Sequence, residues 1–264
     1  MEGIVLGQYV PGKSLIHRLD PRSKMLMMTA MIGLVFLLEK PLEYLVFGII
    51  LFLLFLWAGV IRNTLGVIRP GLYLIAFTVL IHMFFTPGQA LLDLGFLTAT
   101  REGLLKGFTV GTRFLYLIAL SSLITLTTSP VRMTDGLERL MSPLRRLRFP
   151  VGELAMMINI ALRFLPTFWE ETDKIMKAQA SRGADFDSWQ PMRRVKFMTA
   201  ILVPLFINAF RKAEELSVAM ESRGYVVGMR RTSLHELRLS RNDYIALVIV
   251  FSVTVAFIVK HYFG

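Results

Sequence analysis

The sequence has no cysteine, which excludes a disulfide framework and any thiolate metal site. Its four histidines, His17, His82, His235 and His261, are too scattered along the chain to suggest a chelating pair. Acidic residues are also scarce: 19 Asp+Glu stand against 30 Lys+Arg, a formal charge of +11. No nucleophile stands with a base and an orienting group, and no carboxylates pair in an apolar setting, so no catalytic constellation emerges. Glu170, Glu171, Asp173, Glu214 and Glu215 lie among Lys and Arg at helical spacing and read as solvated or ion-paired faces. Alternating strand and helix patterns are missing as well. What the chain has in excess is apolar surface, with 54% hydrophobic residues and 20 Phe, above the roughly 45–50% of soluble domains. It belongs in a membrane, and its positive charge fits a cytoplasmic surface facing anionic lipid or acidic partners better than nucleic acid.

A spanning helix needs about 20 mostly apolar residues. Such runs occur at Met25 to Leu38, Leu42 to Ile61, Val67 to Phe85, Phe108 to Thr128 and, after a long gap, Tyr244 to Val259. Pro70 is expected in the first turn of the third run, where proline costs least. The polar, glycine-containing start lacks the pattern of a cleaved secretory signal, so the first apolar helix is expected to be retained. Basic residues flank alternate connections: Lys13, Arg18, Arg22 and Lys24 before the first span, Arg62 and Arg69 between the second and third, and Arg132, Arg139, Arg145, Arg146 and Arg148 after the fourth. These regions are expected to be cytoplasmic, giving an inside N-terminus, five spans and an outside C-terminus. The resulting layout is a four-span membrane domain over residues 1–128, a cytoplasmic region over 129–241 and a last transmembrane helix over 242–264.

The middle region is charged yet periodic at helical spacing and predicts long amphipathic helices. One stripe runs through Leu154, Met157, Ile158, Ala161, Leu165, Phe168, Trp169, Ile175 and Met176, and a second through Val195, Met198, Leu202, Leu205, Phe206, Ala209, Ala213, Leu216 and Met220. Pro166 and Pro204 are expected to kink or restart them, and the stretch from Asp185 to Pro191 to separate them. Both helices end alike: Ala178-Gln179-Ala180-Ser181-Arg182-Gly183 matches Ala219-Met220-Glu221-Ser222-Arg223-Gly224 as A-x-x-S-R-G. A glycine after a basic last turn is ordinary helix-ending chemistry. Two such ends on consecutive helices point to a role needing two equivalent arginines, whose forked guanidinium groups suit a partner's carboxylates or carbonyls.

Other motifs carry less. Gly7 to Ser14 satisfies the phosphate-loop pattern G-x-x-x-x-G-K-[ST], but without the preceding strand and following helix that such a site needs. Gly103, Gly107 and Gly111 recur at four-residue spacing, which lets helices approach closely, either within the chain or against another subunit. Lys106 and Arg113 near them snorkel to headgroups or face a polar partner.

The residues Gly12-Lys13-Ser14 with His17-Arg18-Leu19-Asp20-Pro21-Arg22-Ser23-Lys24, Leu162-Arg163-Phe164-Leu165-Pro166, and the two Ser-Arg-Gly ends with Tyr225 resemble the transmembrane T component of energy-coupling factor transporters over essentially the whole length. The family pattern is usually Ala-Arg-Gly, so Ser181 and Ser222 are a small departure. The resemblance implies an all-α integral membrane protein of a prokaryotic cytoplasmic membrane, without catalytic site or cofactor of its own. It implies two ABC-type ATPase subunits, as a heterodimer, that bind ATP and Mg, and a membrane-embedded S component that binds a vitamin or other micronutrient. It assigns Ala178, Gln179, Ser181, Arg182 and Gly183 with Ala219, Glu221, Ser222, Arg223 and Gly224 to ATPase coupling. His17, Leu19, Asp20, Pro21, Arg22 and Lys24 form the N-terminal motif, and Gly103, Gly107, Gly111, Pro166 and Pro204 are candidates for helix or S-component packing. A T component dedicated to a cobalt, nickel or biotin system is the alternative, with a conventional ABC permease subunit behind it.

Overall fold

The computed structural model describes residues 9–93, 98–184, 190–229, 237 and 239–263. Helices dominate: α1 (Leu15–Arg18), α2 (Pro21–Leu37), α3 (Pro41–Ala58), α4 (Ile61–Phe85), α5 (Arg101–Thr127), α6 (Pro130–Leu140), a 3-10 turn at Ser142–Leu147, α7 (Val151–Ser181), α8 (Pro191–Glu221) and α9 (Arg241–Phe263). A short antiparallel pair, β1 (Ala90–Asp93) and β2 (Thr98–Thr100), bridges α4 and α5 and sets Ala90 opposite Thr100. The fold is that of an all-α membrane protein.

Local chemistry fixes where the helices begin. Asp20 caps α2 by accepting from the Arg22 N–H at 2.9 Å, with Pro21 in the first helical position, where its missing N–H costs nothing. Pro41 opens α3 in the same way, and the Glu43 carboxylate turns back to accept from the Glu39 and Lys40 N–H groups at 3.0 and 3.2 Å. Thr100 caps α5 through the Gly103 N–H. Here the structure starts earlier than the apolar runs do: α4 begins at Ile61 and α5 at Arg101. Pro70 therefore lies inside α4, not in its first turn, and removes one ladder hydrogen bond that the surrounding turns absorb.

Five described helices are long and apolar enough to cross a membrane: α3, α4, α5, α7 and α9. This differs from the expected set in two places. At 17 residues, α2 extends about 25 Å, short of the roughly 30 Å hydrocarbon layer. The first half of α7 is apolar enough to qualify, a feature masked in the sequence by the charges of its second half.

The chain divides into two compact units, the first made of α1 to α6 with α9, the second beginning at Met141 and made of the 3-10 turn, α7 and α8. The first unit extends through Leu140 because α6 packs on the start of α2: a Cβ on Gly136 would stand 2.8 Å from that of Pro21. The core of the first unit is built from Met31, Leu34 and Val35 of α2, Phe47, Leu51 and Phe55 of α3, and Leu120, Leu123 and Leu126 of α5. Gly103, Gly107 and Gly111 line the buried face of α5 against α4: an added Cβ would collide with the His82 carbonyl at Gly103, and would meet Val79 Cα at 2.9 Å at Gly107 and Ile75 Cγ2 at 2.9 Å at Gly111. In this chain, then, the four-residue glycine spacing seats α4 on α5. Arg113 reaches the Tyr44 hydroxyl at 3.2 Å and lies over the Phe36 ring.

In the second unit, α7 and α8 are each 31 residues, about 46 Å of helix. Pro166 and Pro204 lie inside them and neither helix is interrupted. Of the expected separator from Asp185 to Pro191, residues 185–189 lie outside the described ones, as do Gly7 and Gln8 of the phosphate-loop pattern.

Candidate functional site, two arginine tips and an N-terminal joint

The two helix tips share one hydrogen-bond pattern. After α7, the Ala184 N–H donates to the Gln179 carbonyl at 3.0 Å and the Gly183 N–H to that of Ala180 at 2.9 Å. After α8, the Tyr225 N–H donates to Met220 at 3.0 Å and the Gly224 N–H to Glu221 at 2.9 Å. Each is a Schellman ending in the same register, with the glycine in the left-handed region and the arginine just before it. Gly183 and Gly224 have φ of 85° and 75°, and a Cβ on either would meet nothing within 4 Å. Backbone conformation, not crowding, demands glycine there, and a side chain costs about 1–2 kcal/mol. Ser181 and Ser222 turn their hydroxyls back onto the Lys177 and Ala219 carbonyls, each at 3.0 Å.

The result is an exposed tip of sequence Ser-Arg-Gly at the end of each helix. Among the described residues, neither the Arg182 nor the Arg223 guanidinium has a hydrogen-bond or ion-pair partner. The partial negative charge of a helix C-terminus favours a cation at that place, leaving the five N–H donors of each fork available to something else. Ala178 and Ala219 are exposed one turn earlier, keeping bulk away from the arginine. Glu221 is exposed beside Arg223, whereas the matching position on α7 is Ala180, so the tips are alike in backbone and unlike in charge.

The N-terminal motif is inward-facing. Ser14 caps α1, its hydroxyl 2.7 Å from His17 Nδ1, while His17 Nε2 lies 3.0 Å from the Val10 carbonyl. A carbonyl only accepts, so Nε2 carries the proton and Nδ1 accepts from Ser14. Burial lowers the His17 pKa, the Val10 hydrogen bond opposes this, and the nearby Lys24 charge adds to the lowering. Gly12 lies so close that a Cβ would stand 2.6 Å from the imidazole. The Gly-Lys-Ser run thus serves a histidine and a four-residue helix.

Three helices meet at the next residues. Lys24, 2% exposed, donates to the Thr127 carbonyl at 2.9 Å and the Thr128 hydroxyl at 3.0 Å, binding α2 to the end of α5. Arg22 donates to the Leu237 carbonyl at 2.9 Å. The Asp20 N–H donates to Asp243 Oδ1 at 2.7 Å, while Asp243 Oδ2 accepts from the Ser240 N–H and hydroxyl at 2.7 and 2.8 Å. Asp243, 1% exposed, therefore caps α9 and ties it to α2. Nothing in the sequence pattern singled it out beyond the S-x-x-D spacing from Ser240, a capping signature. Leu19 lies beside this joint on the wall of an apolar cavity of about 310 Å³ shared by α1, α2, α3, α5 and α9.

Glu171, expected on a solvated or ion-paired face, is ion-paired. It is only partly exposed and pairs with Lys212 across α7 and α8. Among the described residues, no three His, Asp or Glu side chains converge as a metal site.

The sequence model of a family described as cobalt transport protein, CbiQ, matches residues 12–234. The chain belongs to the CbiQ/EcfT family. Its relatives include the energy-coupling factor transporter transmembrane protein EcfT of Thermanaerovibrio acidaminovorans, 47% identical over 256 residues and covering 97% of this chain and 95% of the relative. The protein of the same name from Acidaminococcus fermentans is 48% identical over 244 residues, covering 91% and 90%, and that from Bacillus subtilis is 42% identical over 256 residues, covering 94% of each. The chain is thus an EcfT-type transmembrane component of an energy-coupling factor transporter. Both tips and the residues from Gly12 to Lys24 lie inside the family match, while Asp243 lies beyond it.

Proposed function

We propose that this chain couples ATP hydrolysis by two cytoplasmic ATPase subunits to the movement of a separate membrane protein that binds a vitamin or other micronutrient. The observation that carries this reading is the pair of helix endings with one backbone pattern, each presenting an arginine that has no partner among the described residues. A dimeric motor offers the same groove twice, and two equivalent forks suit two equivalent carboxylate-lined pockets. In this reading ATP and Mg bind the ATPases, and this chain supplies no catalytic group. In this reading α2 crosses the bilayer and α7 does not, and the basic residues flanking α2, the α3–α4 connection and α6 favour a cytoplasmic N-terminus and cytoplasmic tips. The N-terminal joint gives the assembly a stiff base, since Asp20, Lys24 and Asp243 bind α2, α5 and α9 into one piece.

The test is purification of the tagged chain from cells that make it natively, in mild detergent, with quantitative mass spectrometry of what accompanies it. Two ATPase subunits and at least one small membrane protein per chain are expected, with nucleotide binding only in that complex. A chain that purifies alone and binds ATP by itself contradicts the proposal.

A further inference from the structure

Glu171 lies 11 residues before Arg182, and Lys212 lies 11 residues before Arg223. Their carboxylate and ammonium groups form an ion pair between α7 and α8, so the joined point is about 16 Å of helix from each tip. The pair has a built setting. Lys212 and Glu171 side chains are 27% and 22% exposed, and the ammonium stands 5.4 Å from the Phe168 ring centroid. Among the described residues Glu171 Oε2 is buried with no hydrogen-bond partner, leaving Lys212 to compensate the charge.

The rest of the groove between these helices is lined largely by apolar side chains, including Ile160, Phe164, Ala209, Ala213 and Leu216. Apolar contact is non-directional and lets one helix slip or rotate on the other at small cost. A half-buried ion pair with a cation–π floor is directional, and removing one member strands a charge. Polar pairs of this kind are best attested as devices that fix register.

We propose that Glu171, Lys212 and Phe168 form the joint that fixes the packing of α7 on α8, so that a displacement at one arginine tip is passed to the other at equal lever length. These are positioning residues, and the inference rests on the reading of Arg182 and Arg223 as ATPase contacts. The joint transmits work and takes no part in assembly: the ATPases bind the tips whether or not it is intact.

The experiment uses the whole transporter in proteoliposomes and reads three quantities separately: ATPase co-purification, ATP hydrolysis and substrate uptake. For Glu171→Lys and Lys212→Glu alone, co-purification is expected to persist while uptake per ATP falls by about tenfold. The double exchange, which restores the pair with its charges reversed, is expected to recover most of that ratio. If a single reversal prevents folding, Glu171→Gln carries the test, since it keeps the shape and removes the charge; a fall of about threefold in uptake per ATP is expected. An unchanged ratio in Glu171→Gln, or a double exchange no better than well-folded single reversals, overturns the joint. Absence of ATPases from the wild-type preparation overturns the coupling reading instead, so the two failures are distinct.

Discussion

Replacing Arg182 and Arg223 together by alanine is expected to abolish both capture of the ATPase subunits and uptake, with no loss of folded protein. The side chains are exposed and have no partner among the described residues, so nothing in the fold is lost with them. A charge-assisted contact buried in a partner costs about 2–5 kcal/mol when one member is truncated. The tips share one chain, so a dimeric motor held at one is presented to the other at high effective concentration. Each single replacement is therefore expected to weaken capture strongly and leave a measurable remainder, which the double replacement removes. Lysine at either position keeps the charge but loses the fork, and is expected to fall between arginine and alanine. Pull-down of the ATPases and uptake in the same membranes check all of these.

The second large effect is on stability. Asp243 accepts from the Asp20 N–H, the Ser240 N–H and the Ser240 hydroxyl in a site almost closed to solvent. Asp243→Ala removes the acceptor for all three at once and unties α9 from α2. A loss of about 3–5 kcal/mol is expected, the range for stripping a buried charge site of one member. It would appear as a large drop in the melting temperature of the detergent-solubilised protein. Asp243→Asn keeps one acceptor oxygen and the shape, so it is expected to lose less. Equal melting of Asp243→Ala and wild type would contradict the role given to this residue.

These two effects lie at opposite ends of what the sequence displays. The tips were legible because their chemistry is local: six consecutive residues carry the cap, the arginine and the glycine, and the pattern occurs twice. The helical, membrane-embedded character of the chain followed from long apolar runs in the same way. Where caps decide the boundary, hydropathy failed, since Thr100 caps α5 and its first residue, Arg101, lies seven residues before the apolar run at Phe108. Likewise Pro70, expected in a first turn, lies nine residues into α4. Partnerships across the fold were the least legible. The Asp20–Asp243 hydrogen bond spans 223 residues and Glu171–Lys212 spans 41. At helical spacing a carboxylate among lysines reads as solvated or ion-paired, and only the packing of α7 on α8 shows that the partner of Glu171 is Lys212. The N-terminal motif was visible as a string of residues, but its inward-facing work needed the positions of Thr127, Thr128 and Asp243.

In the proposed coupling each tip grips one ATPase subunit, and the absence of cysteine makes this directly measurable. Ser181→Cys and Ser222→Cys each place a unique thiol beside the arginine without removing it. Treated with a short thiol-to-amine cross-linker in native membranes, each single variant is expected to join one ATPase subunit, and the double variant to join two to the same chain. Cross-linking at only one tip, or at neither, would contradict the account.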